Sequence, residues 1–149
     1  MTLNEALIKY NFISKVIFKD GDKELSRDLK VKLMRMRIAL GKIRKEFDED
    51  VQEVIKGLTP EGYQELAQKT EKTEEDNKQI EKWNEEINAG YNTFIEQKSS
   101  EEINIDTKLT EEDYAEILDT NVANDVNING NDIKATDFLE ILYSLFVED

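Results

Sequence analysis

LSRDLKVKLMRMRIALGKIRKEFDEDVQEVIKGLTPEGY, residues 25 to 63, decides how this chain folds. Apolar side chains recur at Leu29, Leu33, Met36, Leu40, Ile43, Phe47, Val51, Val54 and Leu58, in steps of three and four. That spacing is the seam of one long packed helix. Thr59 can cap a new helix with Pro60 at its first position, where the missing N–H costs nothing, and Gly57 tolerates a left-handed turn. The chain is therefore expected to reverse there, with a tip near 57–63. The second arm presents Tyr63, Leu66, Thr70, Thr73, Asn77, Ile80, Trp83, Ile87, Tyr91 and Phe94. A tight reversal makes the numbers of facing residues add to about 120. Leu29 then faces Tyr91, Leu33 faces Ile87, Leu40 faces Ile80, Val54 faces Leu66 and Leu58 faces Tyr63. Ile43, Phe47 and Val51 meet the polar Asn77, Thr73 and Thr70, which makes the middle of this hairpin its weak part.

A second apolar stripe, Val31, Met34 and Ile38, lies off the seam, so this stretch of helix needs another layer against it. Beyond Lys45 only the seam is apolar. The expectation is an embedded base and a tip that projects by about 24 Å at 1.5 Å per residue. Trp83, Tyr91 and Phe94 are read as packing at the base. The contact surface expected at the tip is Gly57, Pro60, Glu61, Gly62 and Tyr63.

Outward from the hairpin, Thr2-Leu3-Asn4-Glu5 reads as a capping box opening a short helix with Leu3, Leu7, Tyr10, Ile13 and Ile17 on one face. This helix is expected to cover Val31, Met34 and Ile38, returning through Lys19-Asp20-Gly21-Asp22, with Asp22 capping the long arm. After residue 98, Ile103-Asn104-Ile105-Asp106 alternates as a short strand does. Thr110-Glu111-Glu112-Asp113 opens a short helix with Tyr114, Ile117 and Leu118 inward, ending near Asn121. Asp125, Asn127, Asn129 and Gly130 match the start of an EF-hand calcium loop, but Asp132 stands at the aliphatic position and Thr136 where a bidentate carboxylate is needed. A β-hairpin turning at Asn129-Gly130 is the preferred reading, with Thr136 capping a last helix that holds Phe138, Leu139, Ile141, Leu142, Leu145 and Phe146. The predicted fold class is mainly α with a minor α+β part. Residues 1–98 would form an N-terminal helix plus the long hairpin, and residues 99–149 an acidic module of short strands and two helices.

The 149 residues suffice for one domain with a real core, and cysteine and histidine are both absent. Disulfides, thiolate chemistry, ordinary zinc ligation and the usual neutral-pH base are thereby excluded. No Gly-rich phosphate loop and no nucleophile with a base is legible, so the expectation is a non-enzymatic protein without cofactor or metal. The amino terminus lacks a basic-then-apolar pattern and the most apolar run, Phe138 to Val147, is short and interrupted by Glu140, which predicts a soluble cytoplasmic protein with no membrane contact.

The net charge of −14 is uneven: residues 1–58 carry 13 basic and 10 acidic side chains, and residues 99–149 carry 2 and 14. All four arginines, Arg27, Arg35, Arg37 and Arg44, lie between 23 and 45, where 9 basic groups face 2 acidic ones. Neutralisation of this arm by the acidic second arm and tail is the preferred reading, and the low pI argues against direct nucleic-acid binding. The polar middle of the seam leaves room for a homo-oligomer through the hairpin, coiled-coil fashion.

Lys23-Glu24-Leu25-Ser26-Arg27-Asp28-Leu29-Lys30-Val31-Lys32-Leu33, the charged hairpin after it, Glu102-Ile103-Asn104-Ile105 and Leu109-Thr110-Glu111-Glu112-Asp113 together resemble an uncharacterised family of small acidic proteins encoded in tailed-phage genomes. The resemblance implies a phage origin and an accessory role in the virion, its assembly or the infected cell, and transfers no site residue. The function expected is protein–protein interaction through the hairpin or the acidic tail. The alternative is an anti-defence inhibitor that mimics nucleic acid with Glu111, Glu112, Asp113 and Glu116.

Overall fold

The computed structural model describes residues 1–15, 25–119, 126–128 and 131–148. The protein is mainly helical, and its elements are α1 (Leu3–Lys15), α2 (Arg27–Leu58), α3 (Tyr63–Ala67), α4 (Glu74–Ser99), α5 (Glu111–Leu118), β1 (Val126–Ile128), β2 (Asn131–Ile133) and α6 (Ala135–Phe146). The chain divides into two units, Met1–Arg44 with Glu102–Asp149, and Lys45–Glu101. Helix α2 contributes to both.

In the first unit Thr2 opens α1 as its sequence predicts. The Thr2 N–H donates to Glu5 Oε2 at 2.7 Å and the Glu5 N–H to Thr2 Oγ1 at 3.2 Å. The long helix starts differently from the expected Asp22 cap. It begins at Arg27, and the Leu29 N–H donates to Ser26 Oγ at 3.3 Å, so a serine immediately before the helix satisfies its free amide. Asp22 and the turn around it lie outside the described residues.

From Leu29 the seam enters the core, where Leu29, Leu33, Met36 and Leu40 are buried with Phe12 and Ile13 of α1, Ile117 of α5, and Phe138, Leu142 and Phe146 of α6. Phe12 stacks on Phe138 at 5.2 Å between ring centroids and lies 6.2 Å from Phe146. These rings bring the two ends of the chain into one apolar layer. Tyr91 and Ile87, expected opposite Leu29 and Leu33, belong to the other unit. Nor is the second stripe covered: Met34 is 53% and Ile38 64% exposed, because α1 shares the buried face of α2 and leaves this one open.

The Ile103–Asp106 alternation forms no strand. Its one pairing with the residues before α1 is an isolated bridge, Thr2 to Glu102, with the Ile103 N–H donating to the Met1 carbonyl at 2.7 Å. The Leu109 N–H donates to the Phe146 carbonyl at 2.7 Å, tying this segment to α6. β1 and β2 pair antiparallel, Val126 opposite Ile133 and Ile128 opposite Asn131; Asn129-Gly130 lies outside the described residues. Helix α6 begins at Ala135 after Lys134, not behind a Thr136 cap, and α5 ends at Leu118, before the expected Asn121.

In the second unit the reversal is built otherwise than predicted. The Thr59 N–H and hydroxyl both donate to the Ile55 carbonyl, at 2.9 and 2.6 Å, so Thr59 closes α2 instead of opening the next helix. Gly57 is helical, and the left-handed residue is Gly62 (φ 88°), which precedes the short α3. The second long helix waits until Glu74. Thr73 and Asp76 form a capping box, the Asp76 N–H donating to Thr73 Oγ1 at 3.1 Å and the Thr73 N–H to Asp76 Oδ2 at 3.0 Å. Thr70 and Thr73 therefore lie ahead of the second arm, and the facing pairs shift.

Phe47 stacks on Phe94 at 6.4 Å instead of meeting Thr73. Leu58 packs against Gly90, where an added Cβ would sit 2.6 Å from Leu58 Cδ2, instead of against Tyr63. Lys98 and Asp50 approach to 3.8 Å. The seam that the tight turn made polar is thus aromatic.

Candidate docking surfaces

The acidic segment at α5 is built from its cap outward. The Asp113 N–H donates to Thr110 Oγ1 and the Thr110 N–H to Asp113 Oδ2, both at 3.0 Å. The same carboxylate accepts from Lys32 Nζ at 2.5 Å. Burial pushes the Asp113 carboxyl up, but the hydrogen bonds from Lys32 and from the Thr110 backbone and hydroxyl outweigh it and hold the group below its ordinary range. Glu116 accepts from the Ser26 N–H, and from the Ser26 hydroxyl at 3.2 Å. Glu111 accepts from the Tyr143 hydroxyl at 2.5 Å, and that hydrogen bond and the glutamate charge raise the phenol above its usual value.

Of the four acids proposed as a mimicking surface, Glu111, Asp113 and Glu116 are therefore committed to internal partners. Glu112 is exposed and makes none of these contacts among the described residues. The acidic tail here serves first to dock α5 on α2 and α6. Lys32 is neutralised as the charge asymmetry predicts, yet among the described residues Arg27, Arg35 and Arg37 make no ion pair. A cleft of about 850 Å³ beside Arg27, Lys32, Arg35 and Lys108 also holds Asp28 and Asp106, so its charge is mixed.

At the reversal of the second unit, Gly57 and Glu61 are exposed and Pro60 is half-buried. Tyr63 is turned inward: its ring lies 6.0 Å from Trp83 and its hydroxyl donates to Asn84 Oδ1 at 2.6 Å. Of the five expected tip residues Gly57, Glu61 and Gly62 are thus exposed, while Tyr63 packs within the unit. What lies beside them is a shallow hollow of about 470 Å³ lined by Gln52, Ile55, Lys56, Thr59 and Gln64, with Ile55 39% exposed. Ile55 stands one residue off the apolar seam, a signal readable in the sequence as a helix position with no internal partner.

The first unit also holds a mainly apolar groove of about 550 Å³ between α1 and α2. Leu25 and Leu33 line its floor, the exposed Met34 and Ile38 one side, and Tyr10 the other. Tyr10 lies over Gly41, 3.5 Å from where a Cβ would stand. Lys30 and Arg37 sit on its rim. The stripe was visible in the sequence; that it stays open was not, because which face α1 covers depends on the Phe12 and Ile13 contacts with α6.

The calcium-loop positions Asp125 and Asn129 lie outside the described residues, and of Asn127 only its place in β1 is described. Among the described residues no group of three or more acidic side chains is placed to hold a metal ion, and no helix is long and apolar enough to cross a membrane. The fold and these surfaces define a mainly helical protein of two units, the first with an open apolar groove. No family model, no curated protein and no solved structure matches the chain.

Proposed function

We propose that this is a non-enzymatic interaction protein that docks onto another protein through the Lys45–Glu101 unit, in an accessory, virion or assembly role of the kind the phage-family resemblance implies. The observation that supports this reading is the composition of that unit's surface: neither α3 nor α4 has a buried residue, while Ile55 stands exposed beside Gln52 and Gln64. Helices that bury so little for their own stability are suited to presenting side chains. The unit carries 16 acidic and 7 basic groups, which favours a partner with a cationic surface and binding that weakens as salt rises.

Capture from host lysate by the intact chain, compared with Ile55→Asp and Gln64→Lys, tests the reading. A partner retained by the native chain and depleted by about tenfold with both substitutions supports it. Equal retention with both removes this surface from consideration.

A further inference from the structure

The first unit holds a covalent binding site: we propose that Lys9 of α1 captures small apolar aldehydes as an imine. Its side chain lines a cavity of about 350 Å³ between α1 and the end of α6, walled by Ile8 and Leu145 with Ser144 beside them. Lys9 is half-buried. Its Nζ donates to the hydroxyl of Thr107, itself 2% exposed, at 3.1 Å, and lies 5.8 Å from the centroid of the buried Phe146 ring. Neither partner is an anion, and among the described residues no carboxylate stands within ion-pair distance of this amine. A covered lysine ordinarily reaches water with its charge or pairs it. Here burial lowers the pKa, and the charge of Glu5, one turn back on α1, raises it by less. Lys98, held by Glu101, is shifted the other way.

The unprotonated amine is the nucleophile, and a lowered pKa leaves more of it near neutral pH. Nζ adds to the carbonyl carbon as the C–O π bond breaks, one amine proton moving to the oxygen to give a carbinolamine. That hydroxyl then leaves as water with the second amine proton, and a C=N bond remains. No oxidant or reductant is consumed. The lining chooses among aldehydes: Ile8 and Leu145 take an apolar chain out of water, whereas Glu5 and Glu148, which also line the cavity, oppose an anionic one. Met1 lines it as well, its amino group held by the Ile103 carbonyl at 3.3 Å and by Glu102 at 3.5 Å.

Treating the intact chain with hexanal and cyanoborohydride at about pH 7.5 fixes each imine as a secondary amine, which peptide mass spectrometry then locates. Lys9 is expected to be labelled at least about threefold faster than the other lysines, its rate levelling off at a lower pH than theirs. Glyoxylate, an aldehyde that carries a carboxylate, is expected to lose this preference. Ile8→Ser, at a position 46% exposed, should slow hexanal at Lys9 by about threefold while circular dichroism is retained. Lys9 labelled no faster than exposed lysines, or label falling on the amino group of Met1 in its place, overturns the assignment. So does a preference that glyoxylate keeps or that Ile8→Ser leaves unchanged. None of these readouts involves Ile55 or Gln64, so this inference and the docking proposed for the Lys45–Glu101 unit stand or fall separately.

Discussion

Asp113 closes the cap of α5 and holds Lys32 of α2 with the same carboxylate, so one side chain joins a local start signal to a long-range contact. Replacing it with alanine removes the cap acceptor and leaves Lys32 unpaired, at a cost of about 1–2 kcal/mol given that both groups are partly solvated. Its carboxyl is held below the ordinary aspartate range, so its contribution is complete above that range and is lost as pH falls through the depressed value. Urea unfolding of the native chain and Asp113→Asn from about pH 6 to about pH 2 should therefore show a stability difference that shrinks with acid. Tyr143 behaves oppositely. Its phenol is raised by the hydrogen bond to Glu111, so the stabilisation is complete below the ordinary tyrosine range and fades as pH rises through the raised value. Tyr143→Phe should match the native chain more closely at about pH 11 than at about pH 8. The T-E-E-D pattern at Thr110 was legible as a cap because the motif is local; Lys32 as its partner was not, since nothing within a few residues specifies it.

Helix α2 was legible because a single period runs from Leu29 to Leu58, and Leu29, Leu33, Met36 and Leu40 are buried as that period requires. Helix α4 begins later than the break at Thr59-Pro60 predicts. Thr59-Pro60 is a strong break and suggests a tight turn, yet the second arm follows a signal of the same type as those at Thr2 and Thr110: Thr73-Glu74-Glu75-Asp76. Reading that tetrapeptide as a cap would have moved Thr73 off the seam and delivered Phe94 towards Phe47. Thr73→Ala should cost about 1 kcal/mol in thermal unfolding, as a lost cap does. The contact of Leu58 with Gly90 gives a sharper check on how the two arms meet. Gly90→Ala introduces a Cβ 2.6 Å from Leu58 Cδ2, and the crowding of about 1–3 kcal/mol exceeds the gain of up to about 1 kcal/mol in helix propensity, so the substitution destabilises. In a Leu58→Ala background the crowding is gone and the same Gly90→Ala should stabilise. The arm contact would be wrong if the effect kept its sign in both backgrounds.

The division of the chain follows from where apolar contacts can be made. Residues up to Arg44 and from Glu102 onward share one core although they are far apart in sequence, because Phe12 near one end stacks on Phe138 near the other. Such a pairing has no local signature. The shift in composition near residue 99 was visible, whereas the return of the C-terminal residues onto α1 and the first half of α2 follows only from three-dimensional packing. Phe138 is fully buried, and Phe138→Ala should cost about 3–5 kcal/mol by leaving a ring-sized cavity beside Phe12. The single tryptophan, Trp83, lies in the other unit and packs on Tyr63, so its fluorescence reports that unit by itself. Helix α2 runs from the first unit into the second. Weakening only the shared core should separate them: in Phe138→Ala, loss of ellipticity should begin at a lower temperature than the change in Trp83 emission, while Phe94→Ala should advance the Trp83 transition. If both substitutions lower both signals by the same amount, the two units unfold as one cooperative body.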